Sequence, residues 1–167
     1  MADVPEIPRP SVLWKSLTPE RKQQAAEAFW RDENAAAEQA EAIAAIAVRI
    51  KFRVKSAQAL PVEKKARHLV ALGNVSEMIA ARLLVAFHLA HQRPMMASFL
   101  DALGIAHEAG LITAEQVLPP SLESLTAARE RLKATFGEAE VDLYLRTLMA
   151  LDADTWANLD ALLGPRD

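Results

Sequence analysis

Residues 74–92 read NVSEMIAARLLVAFHLAHQ, and this stretch decides the fold. Placed at about 100° per residue, its apolar side chains cover most of the circumference, which is the pattern of a helix enclosed by protein on nearly every side. A half-buried strand would alternate with period two, and this run does not.

The flanks are punctuated as helix ends. Upstream, Pro61 opens a helix at its first position and Gly73 closes it. Before that, Ile43, Ile46, Ala47, Ile50, Val54 and Ala57 recur at spacings of three and four, which predicts one helix from Asn34 to about Leu60. Arg49 to Lys55 alternates with period two like a strand, but the longer helical stripe overrides it. Thr18-Pro19-Glu20 supplies an N-cap hydroxyl, a proline at the first helical position and a carboxylate at the positive end of the dipole. Residues 1–12, with Pro5, Pro8 and Pro10, read as an extended arm.

Downstream, Pro94 starts a helix over Met95 to Leu103 that Gly104 ends. Thr113 to Gln116 has capping-box spacing for a short helix that Pro119-Pro120 would break. Ser121 or Ser124 caps a helix to Phe136, Gly137 ends it, Glu138 to Leu151 forms the next, and Asp154 caps a last one. The expectation is an all-α protein: a compact bundle of about seven or eight helices forming a single domain over residues 13–167. An irregular α-solenoid of helical hairpins is the alternative.

Composition agrees. The 167 residues are 51% hydrophobic and 25% charged, a globular balance, with few aromatics and much alanine, the best helix former. The chain has no cysteine, which removes disulfides, thiolate metal sites and thiol nucleophiles, and fits a reducing, cytoplasmic and bacterial setting. Residues 1–10 are acidic and proline-rich where a secretory signal would be basic and then apolar. The run Met78 to Ala90, broken by Arg82 and His88, falls short of the roughly 20 residues a membrane span requires, so no membrane association is expected.

Charge is the main functional signal. Residues 1–48 carry −3, residues 49–100 carry +7 and residues 101–167 carry −7, for a net −3. The positive charge gathers at Arg49, Lys51, Arg53 and Lys55, then Lys64, Lys65 and Arg67. Such cation density suits phosphate-rich partners, nucleic acid included. Two structural explanations compete with that reading. Cations belong near a helix C-terminus, and this segment could neutralise the chain's own acidic third. Phe52 is its single ring, whereas single-strand binders stack bases on several.

A second constellation lies on the central run. Glu77, His88 and His91, with Asn74, form a narrow polar stripe to which His107 and Glu108 could add ligands if the chain folded back. That would make a metal or small-ligand site, although no complete ligand motif is present and a core histidine plus a dipole partner explain it as well. Arg82 falls on the opposite, apolar side, which predicts a buried ion pair with Asp101, Glu108 or Asp142.

No phosphate-binding glycine loop, dinucleotide fingerprint, nucleophile elbow or cofactor motif occurs, and no residues stand in catalytic spacing. The sequence therefore favours a non-enzymatic interaction or scaffold protein without a cofactor. Polyanion binding by residues 49–67 is the alternative, and the histidine site a second one. Trp14, Trp30, Met95, Met96 and Trp156 are the residues expected at a protein partner or homodimer interface, unless ordinary packing claims them.

Overall fold

A computed structural model describes residues 7–164, and these are all-α apart from one two-stranded hairpin. They divide into two compact units, Pro10–Ala90 and a second that comprises residues 7–9 and 91–164. The sequence suggests one domain because the division falls at the last residue of the central helix, where no linker composition marks it.

The N-terminal unit holds six helices: α1 (Pro10–Ser16), α2 (Pro19–Arg31), α3 (Ala36–Ile50), α4 (Val54–Gln58), α5 (Val62–Ala71) and α6 (Glu77–His91). Helix α2 starts as its cap predicts, with Thr18 Oγ1 accepting the Arg21 N–H at 3.3 Å. Helix α2 packs on α5, and α3 packs on α4 and α5. Ala25, Ala26, Ala42, Ala66 and Ala80 are fully buried, so small side chains let the helix axes approach closely, while Leu13, Trp14, Phe29, Ile46 and Leu69 fill the remaining core.

The C-terminal unit contains α7 (Arg93–Leu103), β1 (His107–Glu108), β2 (Leu111–Ile112), α8 (Leu122–Phe136), α9 (Glu138–Leu151) and α10 (Leu159–Leu163). Helix α8 packs on α7, α9 and α10. Phe99 meets Tyr144 edge-on at 5.5 Å and lies 5.8 Å from Trp156, forming an aromatic centre. Burial raises the Tyr144 phenol above its ordinary pKa. Between α8 and α9, Arg129 grips Asp142 with two hydrogen bonds of 2.9 and 3.1 Å, with Glu138 and Glu130 alongside.

Several expectations are corrected. The arm already turns helical at Pro10, because proline suits a first helical position and Leu13 and Trp14 behind it are buried; residues 1–6 of that arm lie outside the described residues. The predicted helix from Asn34 to Leu60 breaks at Lys51. No helix follows Thr113, since Pro119 leaves too few residues to repay nucleation. Asp154 caps nothing; Asp152 Oδ1 accepts the Thr155 N–H at 3.2 Å and turns the chain toward α10. The interface candidates Trp14, Met95, Met96 and Trp156 are all buried, and Trp30 is half-buried, so packing claims them. No described helix is long and apolar enough to cross a membrane.

Candidate nucleic-acid or polyanion interface

The break at Lys51 creates the most distinctive surface of the N-terminal unit. Lys51 closes α3 in the left-handed conformation, φ 58°, donating its N–H to Ala47 O, while the Phe52 N–H donates to the same oxygen at 3.0 Å. Helices normally close this way on glycine, and a side chain there costs about 1 kcal/mol. Arg53 is then extended (φ −71°, ψ 149°) and starts α4 without a side-chain cap.

The turn carries Lys51 and Arg53, while Arg49, Lys55, Lys64 and Arg67 lie on α3, α4 and α5. Arg49, Lys51, Arg53, Lys55, Lys64 and Arg67 are all exposed, and among the described residues none of the six makes an ion pair or side-chain hydrogen bond. Lys65 differs: it is half-buried, its Nζ donates to Gln58 O at 3.3 Å and lies 5.0 Å from the Trp30 ring centre. It is a structural cation tying α5 to α4 and α2.

Charge in this unit is concentrated. Residues 10–90 hold 12 Lys/Arg and 8 Asp/Glu, net +4, while residues 48–67 alone hold 7 and 1, net +6. The remainder of the unit is thus net −2. Interleaved with the cations are exposed apolar groups: Val48 is 81% accessible, Phe52 49% and Val54 50%.

The histidine constellation is distributed over both units, Glu77 and His88 in the first, His91, His107 and Glu108 in the second. Glu77 accepts the Ser11 N–H at 2.9 Å and its hydroxyl, so this carboxylate caps α1. His88 is 2% exposed, stands edge-on to Phe87 at 5.4 Å, and is pushed down to about 4 by burial and then by the charge of Arg21. His91 and Glu108 are exposed.

His107 uses both ring nitrogens. Its Nδ1 accepts the Gly110 N–H at 3.1 Å, so its proton sits on Nε2 and faces Asp101 Oδ1 at 2.6 Å. It is a staple for the hairpin and has no nitrogen left for a metal or for general base work. Among the described residues no group of three or more His, Asp or Glu stands placed to hold a metal, so the metal reading gains no support. An open groove beside this hairpin, lined by Pro94, Ser98, Asp101 and Arg131, encloses no buried polar group.

Arg82 does pair, but not with Asp101, Glu108 or Asp142. Its Nε donates to Glu38 Oε1 at 3.3 Å; the carboxylate is the buried member, 11% accessible against 39% for the arginine. The long arginine stem carries its head outward, where a neighbouring helix of the same unit supplies the acid. Asp101 and Asp142 are taken by His107 and Arg129. Replacing Arg82 with alanine strands the Glu38 carboxylate, and we expect a loss of about 2 kcal/mol in urea unfolding, largely recovered in the Arg82→Ala/Glu38→Gln double variant. A single variant as stable as the parent would show that water already satisfies Glu38.

No family model, curated protein or solved structure matches this chain. Its function must be read from its own geometry. The cation density of residues 49–67 is plain in the sequence. What the sequence hides is their freedom from partners, which depends on where α3, α4 and α5 place them and not on residue type.

Proposed function

We propose that the protein is a non-enzymatic helical module that binds a polyanion through Arg49, Lys51, Arg53, Lys55, Lys64 and Arg67. The observation that carries this reading is that these six exposed cations have no partner among the described residues. Cations serving the fold would be spent on carboxylates or helix ends, as Lys65 and Arg129 are. Of the six, Arg49 and Lys55 stand in the last turns of α3 and α4, where the helix dipole gives them a role, and neither is spent on a carboxylate. A phosphate- or sulfate-rich partner would release counterions on binding and gain affinity at low salt.

This is a specific form of the broader interaction-protein reading. Of the aromatic and methionine anchors that would favour a protein partner or homodimer, Trp14, Met95, Met96 and Trp156 are buried and Trp30 is half-buried, which supports placing a polyanion first. A cytoplasmic, bacterial setting fits the cysteine-free chain.

Immobilised heparin tests the proposal. The chain is net −3, so a protein without a local cationic surface would flow through. We expect retention at low salt, elution that depends steeply on ionic strength, and an affinity about tenfold or more weaker when Lys51→Gly, Arg53→Gln and Lys55→Gln are combined. Passage through the column at low salt would overturn the proposal.

A further inference from the structure

Resting on the polyanion reading, we infer that the partner is an anionic lipid surface, met by the turn at Lys51 with cations and apolar side chains together. Val48, Phe52 and Val54 alternate along the same short stretch with Arg49, Lys51, Arg53 and Lys55, and all seven are exposed. A nucleic-acid backbone accounts for the cations and could stack on Phe52, but it offers the two valines nothing. A bilayer interface accounts for both. Phosphate headgroups attract the cations, and the acyl boundary beneath them receives the apolar groups.

Two features argue that this is a built surface rather than leftover charge. The cations are concentrated, net +6 within residues 48–67 of a unit whose other residues are net −2. Lysine also holds the left-handed position at the centre of the turn, where glycine would fit without strain. A cation kept at a strained position beside an exposed ring and two exposed valines is best explained by something those groups touch. With no described helix able to span a bilayer, the contact is peripheral and reversible.

The test uses the full chain in flotation with vesicles of phosphatidylcholine alone or mixed with phosphatidylglycerol, alongside anisotropy with labelled single-stranded RNA and duplex DNA. We expect binding to the mixed vesicles only. Lys51→Gly should weaken it about fivefold, as loss of one surface cation does, while holding or raising thermal stability, so that misfolding cannot explain the loss. Phe52→Ser with Val54→Ser should weaken it about tenfold or more without altering heparin retention.

Binding to nucleic acid with none to mixed vesicles would overturn the lipid inference and leave the polyanion proposal standing. Vesicle binding that the Phe52→Ser/Val54→Ser variant leaves unchanged would overturn it too, reducing the contact to charge adsorption. Failure on heparin, vesicles and nucleic acid alike would overturn both.

Discussion

Gly110→Ala is expected to destabilise the C-terminal unit by about 3 kcal/mol, one of the two largest effects foreseen for a single substitution in this protein. Ala109 and Gly110 form the two-residue loop between β1 and β2, with φ of 48° and 89°. Positive values at both positions are what a tight hairpin of the primed type demands. Ala109 already accepts that strain. Gly110 has a second constraint, since a Cβ there would lie 2.7 Å from the Met96 Cβ and 3.2 Å from Arg93 O. The first contact is to the stem of a buried side chain and the second to backbone, so neither neighbour can swing away. The turn is further fixed by the Gly110 N–H on His107 and by Arg93 Nη1 donating to Ala109 O at 3.0 Å. Chemical denaturation of the alanine variant, followed by Trp156 fluorescence, measures the loss. A change below about 1 kcal/mol would show that α7 yields to the added methyl.

Acid should destabilise the N-terminal unit through His88. The folded protein holds this ring neutral, ionising only near 4, whereas in the unfolded chain it ionises near 6.5. Well above pH 6.5 neither state is protonated and His88 adds no pH dependence. As pH falls from 6.5 towards 4, the unfolded chain takes up a proton that the folded one refuses, removing about 3 kcal/mol by the time both states are charged. Carboxylates also titrate in the lower part of this window, so the comparison must be with His88→Leu. Urea midpoints of the two proteins, measured from pH 7 to about 4, should fall more steeply with acid in the parent, with the leucine variant the flatter. Parallel curves would mean that the folded state admits the proton after all.

Much of the fold was legible because its signals are local. Thr18-Pro19 and Ser121 announce helix starts, Gly104 and Gly137 announce stops, and the apolar circumference of residues 77–91 announces burial. The failures share a cause: the deciding term was not local. Nothing near Lys51 marks a helix end, since Ile46, Ile50, Val54 and Ala57 continue the stripe and the left-handed residue is neither glycine nor asparagine. The hairpin at 107–112 is too short for any periodicity to register. Arg82 finds Glu38, which lies 44 positions away, and helical spacing carries no information on such a partner. For the candidate interface, residue identity was readable but exposure was not. Charge runs look alike whether they face solvent or a carboxylate, and only the tertiary arrangement separates the two.

The left-handed lysine also bears on how this protein would respond to selection in the laboratory. A library sorted for heat resistance would favour glycine at position 51, because relief of backbone strain is among the commonest routes to a tougher variant. The winner would carry the same helices and the same core, and by every structural criterion it would count as an improvement. If the proposed binding holds, it would also have discarded a cation of that surface, and robustness and function would then compete for a single residue.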